Sequence, residues 1–578
     1  MQAVYNIAEI CAQHGITDVV LSPGSRSAPL TLAFARHPAL TVRVVPDERA
    51  AAFIALGMAQ AQRRAVALVC TSGTAGLNYA PAVAEAFFQQ IPLLIFTADR
   101  PPEWIDQLDG QTIRQHNLYG AHAKGAFEFP VETSHPDAKW YSARIINEAI
   151  NLAQAAPAGP VQVNVPLREP FYPKAGEEIR YEQDVKIIRD SGAQDSMNTF
   201  DLESLSKRPD WTVLFTRVLV VVSQKSRYKE LDDALNNFAQ QSGATIVADV
   251  ISNVSGKRAT VSLQDIFLSS SNAQYLEDLR PSLLITIGNS LISKALKQYL
   301  RKHPSQQHWH IQPHTSPVAD VFRSLTEVFR VNAAYFFQEF ARAFSKELRM
   351  QAQPFGKGWR DANRHAGLML SEFFTEHSQA PFNEFAAFKY VITALRADTA
   401  LHLANSMAVR YANILGIPQG KQIEVFANRG TSGIDGCCST AVGAALAQPE
   451  RPVVLLTGDV AFFYDRNAFW HNYPTPNLRV VLFNNHGGGI FRLIDGPRQQ
   501  PELEEFFETR QTLTAENTAK DFNLRYFPVS SFAELEAALP VFFADESGAA
   551  LLEIFTDSKT NAAFFEEYRA AVKKAFSE

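Results

Sequence analysis

The stretch LLTGDVAFFYDRNAFWHNYPTPNLRVVLFNNHGGGIF, residues 455–491, decides how this chain is read. LLTGD and LRVVLFNN are short apolar runs that end on polar side chains, the pattern of buried strands in a parallel sheet. The first delivers Gly458 and Asp459; 26 positions after Asp459 the second delivers Asn485, followed by His486, Gly487, Gly488 and Gly489. A hard divalent cation takes oxygen ligands in octahedral geometry, a few from the protein and the rest from phosphates and water. The Asp459 carboxylate, the Asn485 amide oxygen and the Gly487 carbonyl can supply three, and the glycines let the backbone approach a diphosphate. The competing reading is an aspartate that caps the next helix and an ordinary glycine turn. A Gly-Asp pair alone carries no information. Gly-Asp, a strand-length gap, then paired asparagines and glycines at a second strand end, does.

The same strand signal recurs along the chain. TDVVLSP, TVRVVP, AVALVCTSG, IPLLIFTAD and GPVQVNVP mark a first set; VLVVVSQ, ATIVADV, PSLLITIG and HWHIQP a second; TALHLANS, QIEVFAN, PVVLLTGD, LRVVLFNN and AALLEIFT a third. Helical patterns separate them. The alternation predicts three doubly wound, mainly parallel α/β domains, over residues 1–180, 181–350 and 351–578, with VPLREPFYPKAGEE as the exit from the first. Ligands of such sheets collect at the carboxyl ends of the strands.

The totals narrow the class. With 578 residues, 46% hydrophobic and 20% charged, the chain has the composition of an ordinary globular protein. A net charge of −6 gives no support to a nucleic-acid partner. Cys11, Cys70, Cys437 and Cys438 lack metal-site spacing and read as buried reduced thiols. No apolar run has the length of a membrane span and the N-terminus has no leader pattern, so the expectation is a cytoplasmic protein.

A second acidic feature lies far upstream, in VVPDERAAAFIALGMA, residues 44–59. Asp47 and Glu48 stand where a helix begins, and acids are favoured there by the unpaired N–H groups and the helix dipole. Cations cluster in loop contexts as well: Arg26 in SPGSRSAPL, Arg100 in TADRPPE, Lys294 in LISKALK, Arg410 in ANSMAVR and Arg429 in ANRGTSGIDG. Each alone reads as a solvated or structural cation. Several at the strand ends of one site point to a substrate with several carboxylates, which the arginine fork suits.

The Gly-Asp…Asn spacing resembles the thiamin-diphosphate motif, and the three-domain plan resembles the pyruvate-oxidase-like enzymes that use that cofactor. SPGSRSAPL, DERAAAFIALGMA, TSGTAGLNYAPAVAEA, TADRPPE, GPVQVNVPLREPFY, ANSMAVR, NRGTSGIDG and NNHGGGIF together resemble one family of that class, the 2-succinyl-5-enolpyruvyl-6-hydroxy-3-cyclohexene-1-carboxylate synthases of menaquinone biosynthesis. The resemblance implies an aminopyrimidine-binding first domain, a central domain, and a third domain that holds Mg2+ (or Mn2+) and the diphosphate. It implies that 2-oxoglutarate is decarboxylated and that the succinic-semialdehyde carbanion equivalent adds 1,4 to isochorismate. By motif, Glu48 is the catalytic acid at the aminopyrimidine. Asp459, Asn485 and Gly487 are the metal ligands. Val460, Ala461, Gly488 and Ile490 line the cofactor, and Ile434 holds it bent, unless Ile434 is simply a core residue. Ser406, Arg410 and Arg429 meet 2-oxoglutarate. Ser25, Arg26, Arg100, Gln111 and Lys294 meet isochorismate, and Ile490 with Phe491 forms an apolar wall. The family's architecture also implies a homodimer or dimer of dimers, with Glu48 of one subunit facing Asp459 of another.

Two positions depart from the family pattern. Gly110 precedes Gln111 where some relatives carry asparagine, and His486 replaces a third asparagine and is expected to face away from the metal. The acidic, aromatic segment after Asp495 either covers the site or packs at the surface. Two other readings stand beside the synthase: another thiamin-diphosphate-dependent 2-oxo-acid decarboxylase or carboligase, and a catalytically silent cofactor-binding paralogue.

Overall fold

The computed structural model describes residues 1–169, 171–173, 178–190, 211–254, 260–544 and 548–577; part of VPLREPFYPKAGEE lies outside them. Three six-stranded sheets follow one another along the chain, every pairing parallel. The first contains β1 (Asp18–Leu21), β2 (Thr41–Val44), β3 (Val66–Cys70), β4 (Leu93–Asp99), β5 (Gly125–Glu128) and β6 (Val161–Pro166), in the order β2-β1-β3-β4-β6-β5. The second contains β7 (Val218–Val222), β8 (Thr245–Ala248), β9 (Thr260–Val261), β10 (Leu283–Ile287), β11 (Gln307–Ile311) and β12 (Glu327–Phe329), in the order β12-β11-β10-β7-β8-β9. The third contains β13 (Ala400–Leu403), β14 (Glu424–Phe426), β15 (Val453–Gly458), β16 (Leu478–Asn484), β17 (Arg525–Val529) and β18 (Ala550–Phe555), in the order β14-β13-β15-β16-β18-β17. The first and third orders are the same; the second is that of a dinucleotide-type fold with its switch point between β7 and β10.

The predicted doubly wound α/β architecture is present three times. Four strands escape the sequence pattern: β5, β9, β12 and β17. Each is the last strand at one edge of its sheet. Central strands such as β3 and β10 are buried along their whole length, whereas β5 and β12 are only half-buried. An edge strand has one ladder partner and less apolar cover, so its sequence need not be a continuous apolar run.

Two helices join the first and third sheets. The helix Glu48–Gln62 is alanine-rich, a strong helix former, and is buried on all sides from Ala50 to Ala59. The helix Cys437–Ala447 is buried from Cys437 to Leu446. They cross at two glycines: a Cβ on Gly57 would lie 2.0 Å from the Thr440 carbonyl oxygen, and one on Gly443 2.0 Å from that of Ile54. One apolar core, including Val20, Phe53, Leu68, Ala441, Leu455 and Val480, runs through this crossing from the first sheet to the third. No helix among the described residues is long and apolar enough to cross a membrane.

Candidate active site

The cation motif lies at the carboxyl ends of two neighbouring strands. β15 and β16 pair up to Gly458–Phe483, which brings Asp459 and Asn485 out on the same edge of the sheet. Asp459 is the first residue of the helix Asp459–Tyr464. One of its oxygens accepts from the Gly487 N–H at 2.7 Å and the Gln511 side-chain amide at 2.8 Å; the other accepts from the Val460 N–H at 2.9 Å. Burial pushes its carboxyl up to about 6, with those three hydrogen bonds opposing. Asn485 donates its amide to Glu384 at 2.8 Å, while its Oδ1 is buried without a partner. Burial pushes Glu384 up to about 7, against the Asn485 bond and with the Asp459 carboxylate adding to the shift. Among the described residues no group of three His, Cys, Asp or Glu side chains is placed to hold a metal. What the two strand ends offer is one carboxylate, one amide oxygen and the Gly487 carbonyl. That set suits a hard cation that keeps further positions for phosphate and water. An orphaned amide oxygen beside a carboxylate that burial disfavours is what a cation would satisfy.

The segment after Asp495 covers the backbone of this loop. The Glu508 carbonyl accepts the Gly488 N–H at 2.7 Å, and the Gln511 N–H donates to the His486 carbonyl at 3.0 Å. A Cβ on Gly487 would meet the Glu508 carbonyl oxygen at 2.7 Å, so only glycine permits this cover. Glu508 is buried and is gripped by Arg492, which also binds Glu504. The His486 ring lies against Phe555, with ring centroids 6.1 Å apart. Val460, Gly488, Ile490 and Phe491 are half-buried around the loop, Ala461 is buried, and Phe491 packs on Phe507.

Asp47 and Glu48 separate clearly. Asp47 is the helix cap: one oxygen accepts from the Ala50 N–H at 3.1 Å, the other from the Asn467 amide at 2.8 Å. Arg49 binds Asp465 at 2.8 Å and the Asp435 carbonyl, so both flanks of Glu48 are tied to the third domain. Glu48 itself is half-buried, and its charge helps to raise Cys70 and Tyr79. Ile434, half-buried on the same loop as Asp435, packs against the third domain's core.

The cations form two groups. In the first domain, Arg100 donates to Ser72 Oγ at 2.8 Å and the Gln111 carbonyl at 3.0 Å, and pairs with Asp109. Arg26 donates to the Leu167 carbonyl and lies over the Phe171 ring; desolvation and the Arg100 charge lower it. Ser25 and Gln111 are exposed beside them. In the third domain, Asn405 accepts from Arg429 at 3.0 Å and itself holds the carbonyls of Asn428 and Gly433. The Arg429 Nε is buried without a partner. Arg410 donates to the Ser406 carbonyl, and Ser406 takes the left-handed φ of 72°. Desolvation lowers both arginines, and Arg429 lowers Arg410 further. Glu85 of the first domain binds the Gly430 and Thr431 N–H groups and fixes this loop.

Lys294 is exposed at the first position of the helix Lys294–Lys302. It is Lys297, one turn on, that desolvation and the Arg429 charge lower. No local pattern in the sequence singles out Lys297, Glu384 or Gln511. Glu384 opens a helix after the capping Asn383, and locally it looks like any helix-start acid.

Comparison with known proteins agrees with this geometry. Residues 1–120 match the thiamine pyrophosphate enzyme N-terminal TPP-binding domain, residues 193–403 the middle domain of thiamine pyrophosphate enzymes, and residues 416–554 the C-terminal TPP-binding domain. The 2-succinyl-5-enolpyruvyl-6-hydroxy-3-cyclohexene-1-carboxylate synthase of Cytophaga hutchinsonii is 45% identical over 577 residues, covering 100% of both chains. The synthases of the same name from Flavobacterium johnsoniae and Porphyromonas gingivalis are each 36% identical, over 97% of this chain and 97% and 96% of their own.

Proposed function

The chain belongs to the thiamin-diphosphate-dependent family of 2-succinyl-5-enolpyruvyl-6-hydroxy-3-cyclohexene-1-carboxylate synthases, and from that premise we propose that it decarboxylates 2-oxoglutarate and adds the remaining four-carbon unit 1,4 to isochorismate, releasing CO2 in menaquinone biosynthesis. The observation that carries the site assignment is the buried, unpartnered Asn485 Oδ1, on the same strand-end loop whose Gly487 N–H binds Asp459. These three residues would hold Mg2+ or Mn2+, with the diphosphate against Val460, Ala461 and Gly488. Thiamin diphosphate, when bound, supplies the nucleophilic carbon that 2-oxo-acid decarboxylation requires.

The chain's own residues do the rest. Glu48 would hold a proton at the ring nitrogen of the aminopyrimidine, and Ile434 would support the cofactor from the third domain. Ser406, Arg410 and Arg429 take the carboxylates of 2-oxoglutarate. The free Nε of Arg429 is the natural donor, because a buried unpaired donor gains most from a charged acceptor. Ser25, Arg26, Arg100, Gln111 and Lys294 take isochorismate. Ile490 and Phe491 exclude water from the carbon that must reach isochorismate before a proton does. We place residues 1–180, 181–350 and 351–578 as aminopyrimidine, central and diphosphate domains of a cytoplasmic homodimer, or a dimer of dimers, with the sites between subunits.

The purified protein with Mg2+ and thiamin diphosphate is expected to consume isochorismate only when 2-oxoglutarate is present, followed as loss of isochorismate and release of CO2. Equal turnover with pyruvate would make it a different carboligase. No turnover with either acid would make it a silent paralogue.

A further inference from the structure

Asn485 is the one expected metal ligand whose chemistry depends on which way round it sits. An amide presents an acceptor at one end and a donor at the other, and only the oxygen can bind a cation. Its Nδ2 donates to Glu384 Oε2 at 2.8 Å, leaving Oδ1 buried and unpartnered on the opposite side. A half-turn of the amide would set Oδ1 against a carboxylate oxygen, acceptor against acceptor. Gly489 leaves room for the amide whichever way it is turned, since a Cβ there would lie 2.9 Å from Asn485 Nδ2, so the choice between the two orientations falls to Glu384.

Glu384 is itself fixed from two other segments. Its N–H donates to Asn561 Oδ1 at 2.8 Å, and Asn561 Nδ2 donates back to Glu384 Oε2 at 3.3 Å. Asn561 also donates to Thr556 Oγ1 at 2.9 Å, which ties the C-terminal helix Ser558–Ser577 to the end of β18. Asn383 caps the helix Glu384–Ala394 through the Ala386 N–H, which sets where that helix begins. Thus the start of one helix and the first turn of another converge on a single amide at the end of β16.

We propose that Glu384 is the positioning residue of the cation site, turning the Asn485 amide so that its oxygen faces the metal. The proposal rests on the cofactor reading above and adds a residue to it that makes no contact with metal or substrate. Partners of this kind typically govern metal affinity by 10- to 100-fold.

The test is titration of Mn2+ into the full-length chain saturated with thiamin diphosphate, read from the electron paramagnetic resonance signal of free Mn2+. Glu384→Leu removes the acceptor and is expected to weaken Mn2+ by about 10- to 100-fold. Glu384→Gln keeps an acceptor oxygen and is expected to stay within about threefold of the parent. Glu384→Asp withdraws the oxygens by one methylene and is expected to lose about tenfold, which keeps the test open if the leucine chain does not fold. Parent-like Mn2+ affinity in the folded leucine or aspartate chain overturns the proposal, as does a glutamine chain as weak as either. A parent that binds no Mn2+ in the presence of thiamin diphosphate overturns the cofactor reading instead.

Discussion

The first and third domains are two copies of one plan put to opposite electrostatic use. Their sheets share a strand order, and the ladder registers carry one onto the other. The residue just past β4 is Arg100 and the residue just past β16 is Asn485; the same register sets Ser72 against Asp459. In the first domain the pair is a guanidinium on a hydroxyl, Arg100 on Ser72 at 2.8 Å, with Asp109 as the guanidinium's anionic partner and isochorismate as the anion proposed for it. In the third the corresponding positions hold a carboxylate and an orphaned amide oxygen, the proposed place for a cation. The helices correspond too. The offset that maps Gly57 onto Gly443 maps Glu48 onto Ile434, an acid onto an apolar side chain. The fold supplies strand ends at fixed positions, and the side chains there decide what each end binds.

The sharpest break of this comparison is at Glu48. Glu48→Gln keeps the size and removes the acid, and turnover is expected to fall by about 10²- to 10⁴-fold, the range typical of a lost acid–base group. Thiamin diphosphate binding, measured by calorimetry, should change little. Asp47→Asn is expected to keep most turnover and to cost about 1 kcal/mol of stability, because asparagine still caps the helix but meets the Asn467 amide with a donor. If the two variants lose equal activity, the division of labour between the neighbouring acids is wrong.

The helix crossing comes next. Gly57→Ala and Gly443→Ala each gain about 1 kcal/mol of helix propensity. Each also sets a Cβ 2.0 Å from a backbone carbonyl that cannot turn aside. Overpacking of this kind costs about 1–3 kcal/mol or more, so both variants are expected to melt well below the parent, by similar amounts. Unequal losses would show that the pseudo-symmetric crossing is not supported equally from its two sides.

The sequence made the plan of the molecule legible where burial forces a pattern. Central strands buried on both faces read as apolar runs, and their polar ends pointed to the site. The edge strands β5, β9, β12 and β17 did not read as strands, because half-exposed positions accept polar residues. Of the proposed site, Asp459 and Asn485 stand out through their spacing, and the structure brings them to neighbouring strand ends. Glu48 was legible only through that distant motif, since its own surroundings describe a helix start. Glu384 and Gln511 were not legible. They reach Asn485 and Asp459, the proposed metal ligands, by tertiary contacts spanning 101 and 52 residues, and neither contact leaves a local trace.

The first and third sheets also differ at one matching position in their interiors. His402 of β13 pairs with Leu455 as Val20 of β1 pairs with Leu68, so the first domain has valine where the third has a buried imidazole. His402 stacks on Phe426 at 5.0 Å, its Nε2 has no partner, and burial, with Arg451 adding, pushes it down to about 3. Its native form is therefore neutral. Below about pH 6.5 the unfolded chain binds a proton that the folded chain refuses, so stability is lost as the pH falls from about 6.5 towards 3 and is unaffected above that window. The slope is at most about 1.4 kcal/mol per pH unit. His402→Val imports the first domain's solution. It loses the stacking contact at every pH but removes the acid penalty, so the melting-temperature deficit of the variant relative to the parent should shrink between pH 7 and pH 5. His308 and His471, both pushed down by burial to about 4, titrate in parent and variant alike and cancel in that difference. A deficit that stays constant across those two pH units would mean that His402 is charged in the native sheet, and that the two domains differ in their cores as well as at their strand ends.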